Sequence, residues 1–296
     1  MKLLTVDHKT RYRYANPVAL GPHRMLVRPR DSHDMRLLDT RLIIMPAPSR
    51  LIWLHDVFSN SVAVAEFDRR TDTLTIESRI VLRRYPAAAP PDLELFPLAP
   101  SAETYPFTYA DEDLPDLIHL IRRHYPDPDE VVKRWATKFL MNAKETPTKH
   151  LLLTMTQAIK TDFTYKARDS EGTQPPAETL ALRSGTCRDY ALLMMEALRA
   201  LGLATRFVTG YLYDPAVDAG EEAMTGGGAT HAWASVYLPG AGWTEFDPTN
   251  GCESGANLIR VAATRDPGQA IPISGTWSGA EGDFQDLTVE VNVTAQ

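Results

Sequence analysis

Cysteine 187 sits where a glycine turn gives way to an apolar run. Ser184-Gly185-Thr186-Cys187-Arg188-Asp189-Tyr190 leads into Ala191-Leu192-Leu193-Met194-Met195-Glu196-Ala197-Leu198-Arg199-Ala200-Leu201-Gly202. The apolar part reads as a helix with Gly202 as its stop. Cys187 then lies at or near the helix N-terminus, where unpaired N–H groups and the positive dipole end favour a thiolate. A thiolate can attack a carbonyl, but it needs a base and a group that orients the base. A cysteine buried only for packing is the plainer alternative.

From residue 151 onward the chain has one histidine, His231. In His231-Ala232-Trp233-Ala234-Ser235-Val236-Tyr237-Leu238, alternation puts His231, Trp233, Ser235 and Tyr237 on one face of a strand. Pro239-Gly240-Ala241-Gly242 turns the chain, and Trp243-Thr244-Glu245-Phe246-Asp247 returns. If Tyr237 pairs with Trp243, Trp233 lies opposite Asp247 and His231 is its diagonal neighbour. Diagonal neighbours have Cα atoms ~7 to 8 Å apart, within reach of an imidazole and a carboxylate. A slip of one residue would put them on opposite faces.

The elements that must position these groups follow a break in character along the chain. The chain has 296 residues, enough for two domains, and a globular balance of 44% hydrophobic to 23% charged residues argues against disorder. Residues 1–85 read as β: Thr40 to Met45, Val62 to Phe67 and Thr73 to Leu82 are strand-like runs joined by Asp56-Val57-Phe58-Ser59-Asn60-Ser61 and Arg69-Arg70-Thr71-Asp72. Six prolines between 86 and 106 read as a stiff connection. Helical patterns follow at Leu114 to His124, after Asp127-Pro128-Asp129-Glu130, and at about Lys149 to Phe163. Leu287 to Val293 alternates as a closing strand. The expected organisation is therefore an α+β chain: an N-terminal antiparallel β-sandwich over 1–85, a Pro-rich linker over 86–110, and an α+β core over 111–296.

The two cysteines belong to no CxxC or Cys/His cluster, so neither a disulfide framework nor a structural zinc site is expected, and no cofactor is implied. No apolar run has the length of a membrane span, and the first residues lack a leader-like apolar core, so a cytoplasmic address is expected. The net charge of −7 divides into +6 for residues 1–85 and −13 for the rest. The basic half could suggest nucleic-acid binding. Its arginines are dispersed among strands, so no nucleic-acid partner is expected, and opposite charges can simply help the halves dock.

The order Gly-Thr-Cys-Arg-Asp-Tyr, then Thr-His-Ala-Trp-Ala-Ser-Val-Tyr-Leu-Pro-Gly-Ala-Gly-Trp, then Phe-Asp-Pro-Thr-Asn-Gly resembles the transglutaminase-like core of bacterial cysteine peptidases. Tyr12-Arg13-Tyr14, Arg28-Pro29-Arg30 and Asp56-Val57-Phe58-Ser59-Asn60 resemble the β-sandwich region preceding that core in bacterial members. The resemblance implies a papain-like α+β core with Cys187 as nucleophile, His231 as base and Asp247 as orienter. Ser235 departs from the family, which often has an acid or large residue there. The backbone N–H of Cys187 is one natural oxyanion donor, and Tyr165, in the family-like stretch Asp162-Phe163-Thr164-Tyr165, is the candidate for the second. A half-buried structural tyrosine is the alternative for Tyr165.

Thr225-Gly226-Gly227-Gly228-Ala229 reads as a rim beside the site, Asp189 as a cap of the nucleophile helix, and Cys252 as a spare thiol. The expected activity is thiol-dependent hydrolysis of a peptide, protein or small amide. Amine transfer to glutamine, as in transglutaminases, and a non-catalytic module that keeps the fold are the alternatives.

Overall fold

The computed structural model describes residues 2–85, 97–141, 145–167, 172–215, 225, 228–253 and 257–295. The N-terminal part is built on one long strand, β1 (Lys2–Arg28), followed by β2 (Met35–Met45), β3 (Arg50–His55), β4 (Ser61–Glu66) and β5 (Arg70–Arg84). The register of β1 against β5 shifts between Arg13 and Val18, pairing with β5 ends at Ala19, and pairing with β4 begins at His23. Its first half pairs with β5 and its second half with β4, so one strand serves two layers. Between them lies an apolar core that includes Val18, Leu20, Met25, Ala63, Leu74 and Ile76.

The chain then runs through β6 (Thr104–Tyr105), α1 (Leu114–Ile121), α2 (Val131–Thr137), β7 (Thr146–Pro147), α3 (Thr148–Asp162), β8 (Thr164–Tyr165), α4 (Pro176–Leu182), β9 (Ser184–Gly185) and α5 (Cys187–Ala200). Strands β10 (Thr205–Leu212), β11 (His231–Leu238), β12 (Gly242–Asp247), β13 (Cys252–Glu253) and β14 (Leu258–Thr264) form a second sheet, in the order β13-β12-β11-β10-β14. Helix α5 is nearly wholly buried; Tyr190, Leu193, Met194, Ala197 and Leu198 pack on α2 and α3 and on Ala234, Val236 and Phe246 of the sheet. The α+β reading holds in both parts. The turn Asp127-Pro128-Asp129-Glu130 precedes α2 instead of opening it. Glu130 has φ 50°, and the Asp127 carboxylate accepts from the N–H groups of Val132 and Lys133 at 3.3 Å.

Two expectations about organisation are corrected. Residues 97–110, expected as linker, belong to the core. Ala99 donates to Pro239 O at 2.8 Å, β6 pairs with β7, and the Tyr105 hydroxyl donates to Leu201 O at 2.9 Å. Gly240, at φ 89°, permits this docking, since a Cβ there would fall 2.3 Å from Ala99 N. Residues 86–96 lie outside the described residues. The end of the chain, expected within the core, returns to the first sheet. β15 (Ile273–Ser278) and β16 (Phe284–Ala295) both pair with β1, the latter from Leu4↔Ala295 to Tyr14↔Phe284. The layers are thus β2-β5-β1-β16 and β3-β4-β1-β15, sharing β1. Alternation in Leu287 to Val293 identified a strand, but alternation carries no information about its partner.

The two sheets are held together by an apolar interface. Leu4, Val6, Ile80, Leu82 and Val291 of the first meet Tyr211, Tyr213, Ile259 and Val261 of the second. Beside it, Asn60 pairs with the backbone of Ala263. Its Nδ2 donates to the carbonyl and its Oδ1 accepts from the N–H, each at 3.0 Å. The Asp56 carboxylate fixes that turn by accepting from the N–H groups of Phe58 and Asn60 at 2.9 and 2.8 Å. The Asp56-to-Asn60 segment is therefore a docking pin. Replacing Asn60 by leucine strands a buried N–H and C=O of β14, with an expected loss of about 2–3 kcal/mol in urea unfolding; a loss under 0.5 kcal/mol would remove the pin.

Candidate functional site

Cys187 is the first residue of α5 and is 6% exposed. The helix start is fixed by a reciprocal cap: the Asp189 carboxylate accepts from the Thr186 N–H at 2.8 Å and the Thr186 hydroxyl at 3.0 Å. Its other oxygen accepts from the Gln174 N–H at 2.7 Å, so the carboxylate also anchors the preceding loop. Capping by Asp189, expected from the sequence, is thus observed. Gly185 is required by this packing: a Cβ would stand 2.9 Å from Asp189 Cβ. Arg188, the residue after the cysteine, holds the helix start to the Pro267–Ala270 turn by donating to Pro267 O at 2.7 Å and Ala270 O at 3.3 Å.

The hairpin adopts the register that the aromatic alternation required. Tyr237 pairs with Trp243, and the ladder runs from Leu238↔Gly242 to Ala234↔Phe246. His231 and Asp247 meet at the open end of this ladder, with 2.8 Å between His231 Nε2 and Asp247 Oδ2. Both are 1% exposed. Asp247 is a hub. Its Oδ1 accepts from the N–H groups of Thr249 (2.9 Å) and Asn250 (3.3 Å), and its Oδ2 also accepts from Asn250 Nδ2 at 2.8 Å. Trp233 stacks beside the imidazole at 6.0 Å between ring centroids. Gly210 faces His231 across the β10–β11 ladder, where a Cβ would lie 2.0 Å from Ile259 O and 2.9 Å from the Trp233 ring. No side chain fits there, so Gly210 lets β14 and the indole close around the histidine.

Cys187 shares a buried cluster with Ala232, the neighbour of His231, and its charge acts on the imidazole. With Nε2 bound to Asp247, Nδ1 is the ring nitrogen left over, and no described group hydrogen-bonds it. The structure therefore brings Cys187, His231 and Asp247 together. Burial alone would push the imidazole down, but the Asp247 charge and hydrogen bond overcome it and push it up to about 10. Burial opposes the Asp247 charge as well, yet His231, Asn250 and Thr249 hold the carboxyl below its ordinary value.

Tyr165 is the fourth expected residue, and it too lies at the cysteine. Strand β8 runs parallel to β9 with Tyr165 paired to Gly185, two residues before Cys187. The phenol lies beside Cys187, whose charge acts on it. Burial and the Cys187 charge push it up to about 12. Tyr165 is still 40% exposed, so it lies at the mouth of the site. Gly226 and Gly227 of the glycine-rich rim lie outside the described residues; Gly228 O accepts from the Val291 N–H of β16. Cys252 is exposed, and its backbone pairs with Asp247. Ser235 is fully buried on β11, between Arg206 of β10 and Glu245 of β12. Sequence reasoning did not single out Asn250 or Gln174; Asn250 follows Asp-Pro-Thr in the quoted motif, but nothing in the string says that its amide returns to the aspartate. Among the described residues, no group of three or more His, Cys, Asp or Glu is placed to hold a metal, and no helix is long and apolar enough to cross a membrane.

The sign of the pH dependence follows from these shifts. His231, raised above 6.5, contributes stability that is complete below pH 6.5 and lost as pH climbs through about 10. Asp247, lowered from 3.8, contributes stability present above that pH and lost as pH falls through its depressed value. Imidazole ¹⁵N shifts of His231 are therefore expected to be those of the cation at pH 8, and those of the neutral ring in Asp247→Asn. A neutral His231 at pH 8 in the parent chain would break the pairing.

Residues 4–83 match the bacterial transglutaminase-like N-terminal region and residues 134–248 the transglutaminase-like superfamily core. An uncharacterized protein of Mycobacterium tuberculosis is 31% identical over 300 residues, which cover 97% of this chain and 91% of that protein. A protein-glutamine gamma-glutamyltransferase of Pseudomonas aeruginosa is 39% identical over 67 residues, 23% of this chain and 10% of the enzyme. Among solved structures, a candidate cysteine protease of Cytophaga hutchinsonii superposes with a TM-score of 0.69 over 99% of this chain and 90% of that one, at 20% identity. The chain belongs to the transglutaminase-like superfamily, with the bacterial transglutaminase-like N-terminal region ahead of its core.

Proposed function

We propose that this chain is a thiol-dependent hydrolase, a cysteine peptidase or amidase, with Cys187 as nucleophile, His231 as acid and base, and Asp247 as orienter. The observation that carries the reading is the buried His231–Asp247 contact, which leaves the second ring nitrogen available to the thiol of a helix-start cysteine. A packing cysteine needs no such company.

The steps balance on these residues. The Cys187 sulfur attacks the substrate carbonyl carbon, and the C=O electron pair moves to oxygen. The Cys187 N–H and the Tyr165 O–H are the two donors at hand for that oxyanion. As the C–N bond breaks, the imidazolium of His231 protonates the departing amine, leaving a thioester and a neutral imidazole. Water then gives a proton to His231 and attacks the thioester, and collapse releases the acid and the thiolate. Asp247 keeps the ring in one orientation and stabilises its cation in both halves.

An amine could replace water in the second half. That alternative, glutamine acyl transfer, is favoured by the 67-residue likeness to the Pseudomonas gamma-glutamyltransferase. Hydrolysis is the preferred reading because water is always available as acceptor. The proposed setting is cytoplasmic, where reducing conditions keep a nucleophilic thiol available.

The test uses a glutamine-containing peptide mixture incubated with and without a biotinylated primary amine and read by mass spectrometry. Hydrolysis yields new carboxyl groups with or without the amine; amine incorporation would install the transferase instead. Cys187→Ala is expected to abolish either product, and Tyr165→Phe to lower kcat by about 10²-fold at similar KM. Iodoacetamide at pH 6 should modify Cys187 in the parent chain much faster than in His231→Ala. Equal rates in the two chains, with no product from any peptide, would leave the non-catalytic reading.

A further inference from the structure

Among the described residues, several enclosed guanidinium groups have oxygen acceptors. Arg199 donates to Glu196 and to three backbone carbonyls. Arg188 has two carbonyls, and Arg84 has the Asp34 carboxylate. Arg206 of β10 has none. Its guanidinium lies over the Trp243 ring, 3.7 Å from the centroid, and its fully buried Nε has no hydrogen-bond partner. Burial first, and then the neighbouring Arg260, push it down to about 10, with only partial relief from the Glu245 charge. Arg206 is only partly enclosed, so its outer nitrogens, with no acceptor among the described residues, are open to an anion that reaches them.

Arg206 borders a cavity of about 230 Å³ between the two sheets. The first sheet contributes Arg30, Asp31, Ser32 and Asn60, and the second contributes Arg206 and Arg260. The acids nearby are engaged. Asp31 accepts from the Leu37 N–H, Asp34 is held by Arg84, and Glu245 lies 2.5 Å from Arg260. At ~30 Å³ per water the volume suits a small molecule of several heavy atoms. Arg30 and Arg206 face the cavity from its two sides, Arg260 beside them is already paired with Glu245 and Asp34, and guanidinium groups are the usual recognition groups for an oxyanion.

We propose that this cavity binds a small dianion, a phosphoryl group or a dicarboxylate, bridging Arg30 of the first sheet to Arg206 and Arg260 of the second. The ligand completes the charge balance of the interface and clamps the sheets where the Asn60 pin already holds β14. It also touches the strands that carry the site: Arg206 pairs across from Ser235, four residues from His231 and hence about 13 Å along β11.

The test is thermal unfolding and tryptophan emission of the full chain at constant ionic strength, in chloride alone, with inorganic phosphate, and with succinate. At ten times the dissociation constant, the bound anion should raise the midpoint by about 3 °C and alter the emission of Trp243. A response to phosphate alone assigns a phosphoryl ligand, and to succinate alone a dicarboxylate. Arg206→Met keeps an apolar stem over Trp243 and removes the unpaired charge. Without anion it should melt no lower than the parent, and the anion should no longer raise its midpoint. Arg30→Gln, an exposed change with little bearing on folding, should weaken the anion effect about tenfold. No response to either anion, or the same response in both variants as in the parent, would overturn the proposal.

Discussion

A carboxylate buried against an imidazole sets the terms for the rest of this fold. Neither group tolerates burial alone, so the His231–Asp247 contact survives only if both strands hold their register and every remaining lone pair of Asp247 finds a donor. The β11–β12 ladder supplies the register, and the turn after β12, through Thr249 and Asn250, supplies the donors. Trp233 keeps water from the ring, and Gly210 allows the close approach of β14 that seats the indole. The imidazole then lies near the start of α5. Cys187 is presented by a helix and His231 by a sheet, and the packing of α5 on β11 joins them.

The second sheet is covered on both sides. Helices α2, α3 and α5 pack on one face, and the first sheet covers Tyr211, Tyr213, Ile259 and Val261. The N-terminal sandwich is therefore part of what keeps β10 and β14 in place behind the histidine. This is a mechanical reason for the two parts to occur in one chain. His8 illustrates the intimacy: burial pushes it down to about 4, and its neutral ring hydrogen-bonds the hydroxyl of Tyr211, the residue beside Gly210.

Local pattern made the site legible in the sequence. A glycine turn, a cap and an apolar run mark α5, and the alternation of His231, Trp233 and Tyr237 about Pro239-Gly240-Ala241-Gly242 leaves little freedom of register. Short-range rules specify such features, and the structure follows them at Cys187, His231, Asp247 and Asp189. The partner of β16, the docking of residues 97–110 and the pairing of Asn60 with Ala263 are long-range facts. A strand pattern records which face is apolar, not which strand lies beside it. Prolines between 97 and 106 look like a linker because proline excludes helix, yet a non-helical segment can still pack. Arg206 could not be told from any other strand arginine until its neighbours were known.

The pairing of β1 with β16 has a consequence for how the molecule is made. Leu4 lies beside Ala295, so nearly the whole polypeptide separates the two edges of one ladder. On the ribosome, the first strand emerges long before the strand that flanks it. During that interval the edge of β1 that will receive β15 and β16 is open, and the helical core must form within the loop between them. Completion of the first sheet thus waits on β16, and a ribosome stalled before Phe284 would hold a formed α5 above an unfinished sandwich.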